Sequence, residues 1–115
     1  MPNAVKDPRL DVLFTALSDP TRRDILARLS AGEATVNELA DPYAMSLQAV
    51  SQHIRVLQRS GLITQGRHRQ TRPCRLEPAA LEPAVSWIEE SRRVWAARMD
   101  RLETRLERLQ EGQNQ

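Results

Sequence analysis

The stretch SLQAVSQHIRVLQRSG, from Ser46 to Gly61, decides the fold. It begins with a serine, whose hydroxyl can accept a hydrogen bond from a free backbone N–H at a helix start, and ends with a glycine, which suits a helix C-terminus. Val50, Ile54 and Leu57 recur at intervals of four and three residues, so they share one face of a helix. The sequence therefore predicts an amphipathic helix that packs on a core through that face.

The opposite face of this predicted helix carries amides, hydroxyls and guanidinium groups and no carboxylate. Glutamine can pair bidentately with adenine and arginine with guanine, so such a face suits base edges and phosphates. We therefore interpret the stretch as a DNA recognition helix, with an ordinary solvated helix surface as the alternative. The residues assigned to DNA contact on this helix are Ser46, Gln48, Ser51, Gln52, Arg55 and Arg59.

A short helix and a turn precede the recognition helix. Thr35 and Glu38 have the spacing of a capping box, which predicts the start of a short helix. Pro42 forces Asp41 out of helical geometry, so this helix ends there in a tight turn. A short helix, a tight turn and a second helix with a polar outward face form a helix-turn-helix, whose second helix enters the major groove.

Two more helices are predicted nearer the N-terminus. Apolar residues at helical spacing predict the first over residues 8–17. Asp19 and Pro20 form an N-cap and a first helical position, and the second helix continues to Ser30. Residues 1–7 are predicted to be a flexible arm.

Two arginines lie in the first turn of the second helix, which is an unfavourable place for positive charge beside the helix dipole. We expect Arg22 and Arg23 to pair with a nearby carboxylate, such as Asp19 or Asp24. Contact with DNA phosphate is the alternative.

The periodicity changes after Gly61. Residues 62–67 and 72–76 predict two short strands of a hairpin, although Pro73 restricts the second strand to an edge position. A hairpin directly after a recognition helix is the wing of a winged-helix domain. Arg67 and Arg69 at its tip are assigned to contact with phosphates or a minor groove, and a solvated hairpin that only covers the core is the alternative.

Positive charge is concentrated in one segment. From Pro42 to Leu76 the chain carries six arginines and no Asp or Glu, although its formal net charge is only +2. Such a concentration favours binding to a polyanion through counterion release, unless carboxylates from elsewhere in the fold neutralise it.

A long final helix is predicted from Pro83 to about Gln110, with a disordered tail at 111–115. Its apolar residues follow a spacing close to a coiled-coil seam and offer more surface than a small domain covers. We therefore expect a two-fold homodimer, with a seam within the chain as the alternative. Residues 8–77 would form the winged helix-turn-helix domain and 78–110 the dimerisation helix. The interface residues are assigned to the first and last helices: Leu10, Leu13, Ile88, Trp95, Met99, Leu102 and Leu106.

Other classes of protein are disfavoured by what the sequence lacks. It has one cysteine, no apolar run of about 20 residues and no secretory signal, so we expect a cytoplasmic protein without internal disulfide or membrane span. No catalytic or phosphate-binding constellation occurs at useful spacing, so an enzyme and a cofactor are not expected. His53 is expected to be a structural hydrogen-bonding residue. Cys74 is expected to be buried; if it were exposed, Arg72 and Arg75 would lower its pKa and make it a redox handle.

The segments LFTALSDPTRRDILARLSAGEATVNELA, residues 13–40, and MSLQAVSQHIRVLQRSGLI, residues 45–63, resemble the ArsR/SmtB family of bacterial winged-helix repressors. The resemblance implies a homodimer that is held by its first and last helices, binds an inverted-repeat operator and blocks transcription. It also implies that Gln48, Ser51, Gln52 and Arg55 face the groove.

Metal-sensing members of that family carry a Cys-x-Cys pair in the helix before the turn, or Asp and His ligands in the last helix. This chain has Glu38-Leu39-Ala40-Asp41 at the first place and no histidine at the second. Arsenic and zinc sites require soft or imidazole ligands, so we expect a non-metal-sensing subgroup and no metal.

These observations together predict a mainly α-helical protein with a small β-hairpin, a winged helix-turn-helix of about five helices that dimerises through its terminal helices. Its function is expected to be sequence-specific DNA binding as a transcriptional repressor. The alternatives are a dimeric protein-interaction module without specific DNA binding, and a thiol-based redox-responsive repressor that uses Cys74.

Overall fold

The computed structural model describes residues 7–66 and 72–113. Within these residues, five α-helices, one 3-10 helix and two strands follow one another along the chain. They are α1 (Pro8–Leu17), α2 (Pro20–Leu29), α3 (Val36–Ala40), α4 (Leu47–Arg59), β1 (Ile63–Gln65), β2 (Cys74–Leu76), the 3-10 helix (Pro78–Leu81) and α5 (Glu82–Gln113). The predicted mainly helical fold with a small hairpin is confirmed.

Side-chain caps set the starts of the first four helices. Asp7, Asp19, Thr35 and Ser46 each accept a hydrogen bond from a backbone N–H two or three residues later. Each bond satisfies a donor that the first turn of a helix leaves free. The Thr35 N–H also donates to the Glu38 carboxylate, which completes the predicted capping box. Asp7, which the sequence assigned to the arm, therefore belongs to α1 as its cap.

One core holds the helix-turn-helix together. The apolar face of α4 is buried as predicted, since Val50, Ile54 and Leu57 are at most 2% exposed. This face packs against buried side chains from α1, α2, α3 and the hairpin. The other members of the cluster are Leu13, Ala16, Ile25, Leu29, Leu39, Leu62, Ile63, Cys74 and Ala84.

The hairpin strands are shorter than predicted and form a two-stranded antiparallel sheet. Ile63 pairs with Leu76, Thr64 with Arg75 and Gln65 with Cys74. On its other side Cys74 bridges to Ala34, with N–O distances of 2.7 and 3.2 Å. β2 is therefore an edge strand of this sheet, as Pro73 predicts, and Cys74 adds one isolated bridge on its outer side.

The chain divides into two compact units, one ending at Ala84 and the other beginning at Val85 within α5. Helix α5 starts at Glu82 and continues to Gln113. Residues 111–113, which were assigned to a disordered tail, are therefore helical, because Gln110 and Glu111 favour a helix and Gly112 alone does not end it. None of the described helices is long and apolar enough to cross a membrane.

Candidate functional site

The outward face of α4 presents the polar residues that the sequence assigned to DNA. Gln48, Gln52 and Arg55 are exposed, and Ser51 is half-buried at the flank. Their spacing of three and four residues places them above one another on one face of the helix. Within residues 7–66 and 72–113, no hydrogen bond or ion pair engages the side chains of Gln48, Gln52 and Arg55. Their donors and acceptors are therefore available to a ligand.

The two ends of α4 differ in their surroundings. At the N-terminus Ser46 accepts a hydrogen bond of 3.1 Å from the Ala49 N–H, so its hydroxyl oxygen caps the helix while its hydrogen can still donate. At the C-terminus Arg59 lines a groove with Pro8 and Val12 of α1. At about 1.5 Å per residue, it stands about 16 Å along the axis from Gln48. The structure therefore does not bring Arg59 together with the N-terminal members of the face.

Helix α4 is tied to the first two helices through His53. The Arg22 Nη1 atom lies 3.2 Å from the His53 Nδ1 atom, and the Asp19 Oδ2 atom lies 3.7 Å from it. The His53 side chain is only 22% exposed. The prediction that His53 is a structural hydrogen-bonding residue is confirmed.

The expected pairing of Arg22 and Arg23 with carboxylates is wrong. The Arg22 Nε and Nη2 atoms donate to the carbonyls of Ala16 and Thr15, each at 2.8 Å. The Arg23 Nη1 atom donates to the Leu17 carbonyl at 2.7 Å. The last carbonyls of α1 have no partner within that helix and carry its negative dipole end, so they attract both guanidinium groups.

Asp19 combines two roles at this junction. Its carboxylate caps α2 by accepting a hydrogen bond of 3.0 Å from the Arg22 N–H. Burial raises the pKa of Asp19, but this N–H and the neighbouring charges of His53 and Arg22 lower it further than burial raises it. The net result is an Asp19 pKa below its ordinary value, so the native structure favours the charged form.

A second junction, which the sequence reasoning missed, fixes the turn between α3 and α4. The Arg28 guanidinium donates to the carbonyls of Leu39 and Glu38 at 2.7 and 3.0 Å and lies 5.4 Å from the Tyr43 ring centroid. The Tyr43 hydroxyl donates to the Asp24 carboxylate. The sequence holds one signal for this junction: Tyr43, the only tyrosine of the chain, falls inside the turn.

The base of the wing is joined to α4 by two glutamines. The Gln58 Nε2 atom donates to Gln65 Oε1 at 2.9 Å, so the first strand of the hairpin is tied to the recognition helix. Arg67, His68 and Arg69, which the sequence places at the tip of the wing, lie outside the described residues.

Among the described residues, neither the cysteine nor the acidic side chains form a reactive or metal-binding centre. Cys74 is fully buried, as the strand alternation predicts, and burial raises the pKa of its thiol. A buried neutral thiol is a poor nucleophile, which argues against the redox alternative. In the part of the chain that the structure describes, no three His, Cys, Asp or Glu side chains are placed to hold a metal ion.

The residues assigned to a dimer interface fall into two groups. On α1, Leu10 and Leu13 are only 8% and 3% exposed, so they have little surface to offer a second chain. On α5, by contrast, the assigned apolar residues lie open on one face of a single helix. They are Ile88, Trp95, Met99, Leu102 and Leu106, which are 48 to 59% exposed.

Known proteins share this arrangement. Residues 17–66 match the family model of a helix-turn-helix domain. The chain is 32% identical to the transcriptional repressor SdpR of Bacillus subtilis over 76 residues, which are 66% of this chain and 84% of that protein.

Two solved structures are similar to the fold. The crystal structure of an ArsR family transcriptional regulator superposes with a TM-score of 0.73 at 39% identity, covering 77% of this chain and 92% of that chain. The solution structure of Mb0332 from Mycobacterium bovis, a homodimeric winged helix-turn-helix DNA-binding domain, has a TM-score of 0.60 at 22% identity and covers 73% and 80%. The predicted winged helix-turn-helix fold is confirmed.

Proposed function

Because this chain belongs to the ArsR family of transcriptional regulators, we propose that it binds an inverted-repeat operator in double-stranded DNA as a homodimer and represses transcription. The observation that carries the proposal is the outward face of α4, where Gln48, Gln52 and Arg55 are exposed and engaged by no other described side chain. A helix-turn-helix places this face in the major groove, where amides and guanidinium groups can read base edges.

The residues of the face have different roles in this proposal. Gln48, Gln52 and Arg55 read bases, because they stand on the N-terminal and middle turns of α4. Ser46 and Ser51 donate hydrogen bonds to phosphate or to a base edge at the flank. Arg59 contacts the phosphate backbone, as do the wing residues Arg67 and Arg69, and these contacts position the protein without specifying sequence.

The homodimer of the proposal forms through α5. Its stripe from Ile88 to Leu106 is exposed along one face of a helix that forms a unit by itself, and a second copy offers the same stripe across a two-fold axis. On α1 the interface would use Val12, which is 42% exposed, because Leu10 and Leu13 are committed to the interior. The structurally similar Mb0332 is a homodimer, which supports the formation of a dimer.

We further infer that the protein acts in the bacterial cytoplasm without metal, cofactor or membrane. Helix α3 has carboxylate and apolar residues where metal-sensing relatives would place thiols. The burial of Cys74 removes the support for thiol-based control.

The test is a selection of preferred DNA sites from a random duplex library, followed by fluorescence anisotropy at two salt concentrations. Arg55→Ala should weaken binding to the selected site by about 1–3 kcal/mol and relax the preference at one base position in each half-site. Arg101→Ala on α5 removes an exposed arginine of the same kind and should leave both unchanged. An unaltered base preference in Arg55→Ala would contradict the assignment, and an absence of any selected site would contradict specific DNA binding.

A further inference from the structure

Arg22 joins three helices through one side chain. It lies in α2, donates through Nε and Nη2 to the last carbonyls of α1, and reaches His53 of α4 through Nη1. Three of its nitrogens are therefore engaged at distances of 2.8 to 3.2 Å. Among the described arginines, Arg22 is the one whose side chain is within hydrogen-bond distance of both α1 and α4.

The chemistry of the pair fixes the direction of its hydrogen bond. A guanidinium group has five N–H donors and no acceptor, so in this hydrogen bond Arg22 donates and the Nδ1 atom of His53 accepts. The planar fork of arginine also holds its three partners at fixed mutual angles, which a flexible ammonium group cannot do.

His53 occupies an informative position on α4. It lies directly after Gln52 and two residues before Arg55, so a rotation of the helix that moves His53 also turns both proposed base-reading side chains. The apolar face of α4 is packed by Val50, Ile54 and Leu57, but apolar packing is less directional than a hydrogen bond.

We propose that Arg22 is a positioning residue for DNA recognition: through His53 it holds α4 at a fixed rotation relative to α1. Because its first test measures operator binding, this proposal rests on the proposed function. Arg22 does not itself need to contact DNA for this role, because three of its five N–H donors are already committed to protein acceptors. Its removal should therefore reduce the discrimination between sites more than the general affinity for DNA.

Arg23 provides a matched control in the same turn. Its guanidinium also binds a terminal carbonyl of α1, that of Leu17, and it has no described contact with α4. Arg22→Lys and Arg23→Lys therefore both disturb a cap on α1 and both keep the charge. They differ in whether a link to the recognition helix is lost.

The first experiment compares binding to the selected site and to scrambled DNA over a range of salt concentrations. Arg22→Lys should reduce the specific-to-nonspecific affinity ratio by about tenfold or more with an unchanged salt slope, whereas Arg23→Lys should keep the ratio. His53→Ala should show the same loss, and the double variant should lose no more than either single one. Equal specific-to-nonspecific ratios in Arg22→Lys and Arg23→Lys would overturn the proposal. So would a reduced salt slope with uniformly weaker binding in Arg22→Lys, because that result would make Arg22 a phosphate contact.

The second experiment needs no DNA and separates this proposal from the proposed function. Hydrogen exchange of the α4 amides in the free protein should become faster in Arg22→Lys and His53→Ala, but not in Arg23→Lys. If the wild type selects no DNA site, the proposed function fails, but the exchange rates still show whether the contact between Arg22 and His53 holds α4 in place. Unchanged α4 exchange in both variants would overturn it.

Discussion

The repeating apolar residues of α4, in the first unit, and of α5, in the second, differ in exposure. On α4, Val50 and Leu57 are fully buried, whereas on α5 Trp95 and Leu102 are 59% and 49% exposed. Both helices repeat apolar residues at intervals of three and four. Periodicity therefore identifies the apolar face of a helix, but the tertiary structure is needed to show what buries that face. The apolar face of α4 is buried by other elements of the same chain, and we propose that the apolar face of α5 is buried by a second copy.

The largest effect of a substitution is expected at the proposed dimer interface on α5. Leu102→Asp removes an apolar side chain from both copies and places a charge at the seam, so it should cost the dimer about 3–6 kcal/mol. Sedimentation equilibrium should show the dimer dissociating at concentrations where the wild type is intact. Thr104→Asp, on the opposite side of α5, is the control and should leave the dimer unchanged. An unchanged dimer dissociation constant in Leu102→Asp would show that a second copy does not bury this face of α5.

The next effect is expected inside the first unit. Leu57→Ala leaves a cavity at a fully buried site, so it should lower the free energy of unfolding by about 2–5 kcal/mol in urea titrations. Leu106→Ala makes the same chemical change on α5 and should scarcely alter unfolding of the monomer at high dilution, because its side chain is 51% exposed. Equal losses at the two sites would mean that Leu106 is covered within one chain.

Local patterns in the sequence predicted much of this fold. The caps at Asp19, Thr35 and Ser46 depend on neighbours within three residues, and the buried face of α4 depends on one helix period. Such features are visible in a single stretch of chain. The burial of Cys74 was predicted for the same reason, from the alternation along its strand.

The features that escaped prediction depend on residues far apart in the chain. The Arg22 side chain contacts His53, 31 positions away, and Cys74 pairs with Ala34, 40 positions away. The sequence suggested nearby carboxylates for Arg22 because it offers only neighbours as partners. The candidate site divides in the same way: periodicity predicted which residues share the outward face of α4, while the elements that hold this face in place required the tertiary structure.

The smallest effect concerns charge at the start of α2. Asp19→Asn keeps a side-chain oxygen that can cap the helix, so the difference from the wild type reports the carboxylate charge. Since folding lowers the pKa of Asp19 below its ordinary value of 3.8, the charge stabilises the native state above that value. This contribution is lost as the pH falls through the lowered pKa, because the native state then takes up the proton that the unfolded state already holds.

The wild type should therefore be more stable than Asp19→Asn near neutral pH, and the two urea midpoints should converge as the pH is lowered through this range. Asp100→Asn is the matched control on α5, where the described side chains place no partner on the carboxylate, and it should show no such convergence. A stability difference at position 19 that persisted into acid would assign the effect to cap geometry. Convergence would instead show that the junction of α1, α2 and α4 is stabilised by the charge of the Asp19 carboxylate.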